Sequence, residues 1–287
     1  MTIAPWKINA VPGRTAAWML SWFLFASGIT LYICTAQKRH IENPDDKVVP
    51  TIAQLTNGFL KAALKPAEED DGSAAAADAS LWYRVRHGML WHDTGASARR
   101  FLISLAILFP AAVLGLHIGV FPYVGAFFLR FILFFDKIIA LSVLPILFIA
   151  FGIDELSKIM LMVIGVTPTI ILDSFNLSRG VPKEQIVKGF TLGAGNFDIA
   201  YLVVLKQVFP RVLNSIRINL KSVALFLFAG EMIASDDGLA YRIALLRRHM
   251  GMDTIIPYVL WVALLLFLID FSMRLLNRWL HPWFREA

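Results

Sequence analysis

Gly193, Ala194 and Gly195 fall in a polar stretch at about 179–211, and a run of such small residues could form a phosphate-binding turn. Backbone N–H groups close on an anion most readily where side chains do not intervene. A nucleotide-binding turn also needs a fixed glycine spacing and a Lys followed by Ser or Thr. Here the chain continues into Asn196 and Phe197, so nucleotide binding is not expected. The histidines at 40, 87, 92, 117, 249 and 281 show no metal-ligand pairing on a helix face, and no nucleophile stands with a base partner. The single cysteine, Cys34, leaves no intrachain disulfide and no cysteine metal site. No catalytic residue, metal or cofactor is expected, and the chain is read as a non-enzyme.

The same small residues also suit a tight turn between two short helices. Such a turn leaves one apolar face, Phe197, Ile199 and Leu202, to dock in a groove of another protein. Asp270 and Arg274 stand four apart with the acid leading, the favourable order for a structural pair on a helix. Asp136 and Lys137 precede an apolar run and are read as its cytoplasmic end, with Asp154, Glu155 and Lys158 at the opposite boundary; a role of these residues in a pathway is the alternative. Lys221 lies about nine residues, or ~14 Å, into another apolar run.

What must position these residues is a membrane. The chain has 287 residues, 57% hydrophobic and 17% charged, too apolar for a soluble domain. Its net charge of +6 comes from basic residues beside apolar runs, so lipid and not nucleic acid is the expected surroundings. The expected fold class is all-α, a polytopic bundle of six spans at 15–35, 101–121, 129–152, 156–176, 212–234 and 255–276. Arg179, Lys183, Lys188, Lys206, Arg211 and Arg217 outnumber Asp173, Glu184 and Asp198 on one connecting segment, which places it and both termini in the cytoplasm. Residues 36–97 form an outer loop: Ile52, Leu55, Phe59, Leu60, Ala63 and Leu64 recur at helical spacing, Pro66–Ser80 reads as a flexible linker, and Leu81, Val85 and Met89 suit a helix at headgroup level. Prolines 110, 122, 145 and 168 in or beside spans predict bent helices.

The order and spacing of Gly193-Ala194, the apolar run Val203-Val204-Leu205, Pro210 and Ile216-Arg217-Ile218 resemble the cytoplasmic loop of permease subunits of bacterial binding-protein-dependent ABC importers. Leu144-Pro145, Phe151-Gly152-Ile153, Glu155 to Ile159, Glu231-Met232 and Gly238 to Tyr241 extend the resemblance toward the nitrate, sulfonate and taurine branch, over about residues 90–280. Asn43-Pro44 and Val49-Pro50-Thr51 give a weaker echo. The resemblance implies a type I ABC importer permease fold in an inner, cytoplasmic membrane, divided into a first helix with outer loop at 1–97 and a permease core at 98–287. It implies as partners cytoplasmic ATP-binding subunits that hydrolyse ATP, a second permease subunit, identical or related, and a periplasmic or extracellular solute-binding protein. The expected solute is a small anion such as nitrate, a sulfonate or bicarbonate.

The resemblance assigns coupling to the ATPase to Gly193, Ala194, Gly195, Phe197 and Pro210. One feature of the family is missing: its Glu-Ala-Ala triplet falls on Val187, Lys188 and Gly189, and the first of its two prolines falls on Lys206. Glu184, one turn upstream, is the candidate substitute for the lost carboxylate, and asymmetric docking beside a different permease is the alternative. Arg217, Lys221 and Glu231 are candidates for the translocation pathway. Lys221 has two readings, attraction of an anionic solute or snorkelling to the headgroups. A competing function is a polytopic membrane enzyme or assembly scaffold that works through its outer loop.

Overall fold

The computed structural model describes residues 13–42, 48–64 and 88–284. The Pro66–Ser80 linker, Leu81, Val85 and Asn43-Pro44 lie outside the described residues. Among the described residues ten helices follow in order: α1 (Arg14–Glu42), α2 (Ile52–Leu64), α3 (Met89–Val120), α4 (Pro122–Phe135), α5 (Ala140–Phe151), α6 (Glu155–Arg179), α7 (Lys183–Thr191), α8 (Asn196–Ile233), α9 (Leu239–Arg247) and α10 (Met252–Leu280). Helix α3 begins before residue 97 and runs unbroken past it.

Among the described residues, α1, α3, α6, α8 and α10 are each long and apolar enough to cross a bilayer, and α4 with α5 makes a sixth span if counted as one. That span differs from the single helix, bent at proline, expected at 129–152. Its halves meet at 95°, because the ladder tightens to three-residue bonds, Lys137 N–H to Phe134 O and Ile138 N–H to Phe135 O, before α5 starts. Proline is not the cause, since Pro145 lies inside α5, past the break. The second difference concerns 179–211. Only 180–182 and 192–195 are non-helical there, and the fifth span extends back through the supposed loop to Asn196, with a π-helical stretch at Ile199–Leu205.

The core is a three-helix contact among α3, α6 and α8. Val204, Val208, Val212, Ile216, Leu220, Val223 and Leu227 recur every three or four residues along α8 and meet Phe101, Leu108, Ala112 and Leu116 of α3 and Met162, Val166 and Ile170 of α6. Lipid tails are as apolar as these side chains, so close backbone approach must supply much of the association. Gly115 and Gly119 of α3 provide it: a Cβ on Gly115 would stand 2.4 Å from Ile171 O, and one on Gly119 would stand 1.7 Å from Ser178 Oγ and 2.9 Å from Phe175 O. Gly119→Val is therefore expected to separate α3 from α6 and destabilise the protein by about 1–3 kcal/mol, the usual cost of overpacking. Thermal unfolding followed by size-exclusion chromatography in detergent measures it, and an unchanged midpoint would refute a close-packed α3–α6 contact at this glycine.

Helix α2 packs at the start of α10. Gly58 lies against the Asp253 carbonyl, and Ala62 and Ala63 join Leu90, Leu239 and Tyr258 in a second cluster. Helix α1 is exposed along nearly its whole length, while its Tyr32 hydroxyl donates to Pro50 O at 2.7 Å.

Candidate functional site

Two constructions occupy opposite ends of the bundle. At one end α7 turns into α8. The Gly193 N–H donates to Phe190 O at 3.0 Å and the Ala194 N–H to Gly189 O at 3.2 Å, which together close the C-terminus of α7. This closure requires a left-handed residue, and Gly193 has φ +84°. Asp198 Oδ2 then accepts the Gly195 N–H at 3.0 Å and opens α8. Gly189 allows α7 to lie on Ile199, whose Cγ1 would be 3.2 Å from an added Cβ.

Ile199 is thus 4% exposed and belongs to the core, unlike the docking face expected of it. Phe197 and Leu202 remain exposed, joined by Val187, Phe190 and Leu192. No residue of α7 is buried, and Glu184 points to the surface. Gly193 and Gly195 are exposed and Ala194 packs in part against the core. Pro210 stands apart, buried inside α8 roughly 21 Å along the axis from Asn196. Its carbonyl accepts Asn277 Nδ2 at 3.1 Å and fixes α8 to α10. The π-helical stretch is braced by His117 of α3, whose Nε2 lies 2.9 Å from the Tyr201 hydroxyl.

At the other end, where α3 and α6 begin and α8 finishes, Arg100 is 1% exposed and serves three carboxylates. Its guanidinium donates to Glu155 through Nε at 2.7 Å and Nη2 at 2.5 Å, to Glu231 through Nη1 at 2.8 Å, and to Asp237. Glu231, fully buried, also accepts from Ser97 Oγ at 2.8 Å and from the Ala240 N–H at 3.1 Å in the first turn of α9. Gly238 makes room for that carboxylate, at φ +114° and with 2.6 Å between a would-be Cβ and Glu231 Cδ. Lys158 Nζ reaches Glu155 at 3.4 Å and Ser235 Oγ at 3.0 Å. Alongside, Asp93 accepts from Arg242 Nε at 2.9 Å and from the Tyr258 hydroxyl at 3.3 Å. Burial alone would lower the Arg242 pKa, but hydrogen bonding and charge from Asp93 hold it above its ordinary value. The cluster fastens α9 across α3, α6 and α8.

Of the pathway candidates, only Glu231 enters this cluster. Arg217 is largely covered, with Nε on Asn214 Oδ1 at 2.9 Å and Nη1 3.6 Å from Asp270, which also pairs with Arg274 at 2.9 Å. Lys221 is exposed on a stripe of α8 shared with Ile218 and Leu225, about 15 Å along the axis from Glu231. Arg100, Ser97, Asp93 and Asp237 were missed by sequence reasoning. A signal existed: Asp93, Ser97, Arg100 and Ser104 recur at i, i+4, i+7 and i+11, a polar face on an otherwise apolar helix.

Residues 88–286 match the family described as binding-protein-dependent transport system inner membrane component. The chain belongs to that family. The permease is 29% identical over 200 residues to the taurine transport system permease protein TauC of Escherichia coli (strain K12), covering 69% of this chain and 72% of that one. It is 27% identical to the putative aliphatic sulfonates transport permease protein SsuC of the same organism, over 49% of this chain and 54% of that one. Its fold is similar to a chain in an inward-facing conformation of the MetNI methionine ABC transporter, with TM-score 0.53 and 20% identity, covering 69% of this chain and 96% of that chain. The all-α ABC importer permease fold and the role as an importer permease are therefore as the sequence led one to expect.

Proposed function

We propose that this permease moves a small anionic solute of the sulfonate class, drawing energy from cytoplasmic ATP-binding subunits that seat on the α7–α8 turn. The observation that carries this reading is the exposed apolar set Val187, Phe190, Leu192, Phe197 and Leu202, held on a closed turn at the end of a core helix. A shift in that turn acts directly on α8, which starts at Asn196 immediately after it. With the family's acidic anchor replaced by Val187, Lys188 and Gly189, exposed Glu184 is the carboxylate left on α7 to accept a charge-assisted bond from the ATPase. The α7 end and both termini face the cytoplasm, and the α9 end faces a solute-binding protein. A second permease subunit covers the exposed faces that a single chain leaves. Co-purification with an ATPase and a binding protein encoded beside the permease gene, if such reading frames are found there, followed by sulfonate-dependent ATP hydrolysis in proteoliposomes, tests the assembly; hydrolysis indifferent to every small anion would overturn the solute class.

Lys221 lines the route in this reading. A central membrane lysine costs about 2.5–3.5 kcal/mol on insertion scales unless a wet cavity or the headgroups receive it. Lys221→Met is expected to lower sulfonate uptake several-fold while assembly and basal ATP hydrolysis persist. Uptake kinetics matching the unmodified permease across solute concentrations would assign the side chain to snorkelling.

A further inference from the structure

The break between α4 and α5 places a charged pair inside the bundle's membrane-spanning part. Asp136 Oδ1 lies 3.4 Å from Thr169 Oγ1, and Thr169 sits about 21 Å from the Glu155 end of α6 and about 15 Å from its Arg179 end at ~1.5 Å per residue. The break is therefore near mid-depth. One turn further along α6, Asp173 accepts from Ser215 Oγ at 2.5 Å and Asn219 Nδ2 at 3.3 Å, so polar groups continue from the break to α8. Asp136 has most of its surface covered, with 19% of its side chain exposed, whereas Lys137, 3.1 Å away, leaves 79% of its side chain outside the chain. The first turn of α5 has no side-chain cap. Irregular backbone and an open ammonium at this depth are tolerated where they line a wet cavity, and are costly against lipid.

We infer that Lys137, with Asp136 and Thr169 behind it, forms a mid-membrane contact site for the anionic group of a small sulfonate, an inference that rests on the proposed solute class. Lys137 supplies the attracting charge. Asp136 holds that charge when no solute is present, and an arriving sulfonate must compete with it. Binding is consequently weak, as a waypoint requires if solute is to leave as readily as it enters. Thr169 fixes the Asp136 carboxylate on the protein side and leaves the lysine facing the route.

The test uses the full chain in proteoliposomes with Cys34→Ser, Lys137→Cys, and, as a lipid-side control, Ile149→Cys, a residue 86% exposed. The probe is methanethiosulfonate ethylsulfonate, a membrane-impermeant sulfonate that modifies a thiol only where water ionises it. Modification at 137 at least tenfold faster than at 149 is the expected result, together with a KM for taurine uptake raised about tenfold in Lys137→Gln. Equal, slow modification at both positions overturns the site, and so does an unchanged KM in Lys137→Gln. Elution of each variant at the unmodified position on size exclusion shows that it is folded, and if Lys137→Cys fails this, the Lys137→Gln comparison carries the test alone. Uptake by the unmodified permease is scored separately. A permease that moves no sulfonate overturns the transport reading, whereas sulfonate uptake with an unchanged KM in Lys137→Gln overturns the site alone.

Discussion

Arg100→Met is expected to lower both the melting midpoint of the permease in detergent and its recovery from the membrane. Arg100 is the cation through which Glu155, Glu231 and Asp237 are brought together. Removing one partner of a buried ionic group typically costs about 3–5 kcal/mol, because the remaining charge is left in low dielectric without compensation. Glu231 bears most of that loss: it is fully buried and would keep only Ser97 and the Ala240 amide. Lysine at this position restores the charge without the planar fork that reaches three carboxylates at once, so Arg100→Lys should fall between the two. The diagnostic comparison is Arg100→Met combined with Glu231→Gln. Deleting the stranded charge together with its partner should recover stability relative to Arg100→Met alone, by roughly 0.5–3 kcal/mol of coupling. Melting midpoints in detergent provide the readout. A midpoint for Arg100→Met equal to that of the unmodified permease would sink the idea that this cluster fastens α9.

That cluster illustrates what hydropathy hides. Arg99 and Arg100 together read as two flanking basics at the edge of a span, yet Arg99 is exposed and Arg100 is among the most buried large side chains. One residue is 100° of helix rotation, enough to turn a side chain from surface to core. Spans such as α6 and α10 were legible to within a few residues because about 20 apolar residues in succession suit a bilayer crossing and little else. The 95° break was not, since composition reports that residues 129–152 are apolar and says nothing about the direction of the axis. Helix α8 was misjudged for a different reason. Lys206, Arg211 and Asn214 lower the average hydropathy and divide the segment in two, whereas the stripe Val204, Val208, Val212, Ile216 and Leu220 runs across that division without interruption. Periodicity was the better guide there. It would also have served at Ile199, which lies two residues and about 200° of helix rotation from Phe197 and so turns to the core where Phe197 turns out.

Gly193→Trp is expected to reduce binding-protein-stimulated ATP hydrolysis by more than about tenfold, with the permease still inserted and folded. Two effects must be separated at this position. Any L-residue at φ +84° pays for left-handed backbone, roughly 1–2 kcal/mol, so Gly193→Ala meets this cost too. Bulk is different, because an added Cβ meets nothing within 4 Å in this chain and a larger side chain is directed away from the protein. The indole of Gly193→Trp therefore stands on the surface beside Leu192, 79% exposed, and Phe197, 68% exposed, in the space a docked ATPase must occupy. Both variants should show similar, modest losses of thermal stability. Capture of the ATPase on the immobilised permease should survive in Gly193→Ala and fail in Gly193→Trp. If the two variants capture and stimulate the ATPase equally, the α7–α8 turn is not the docking surface.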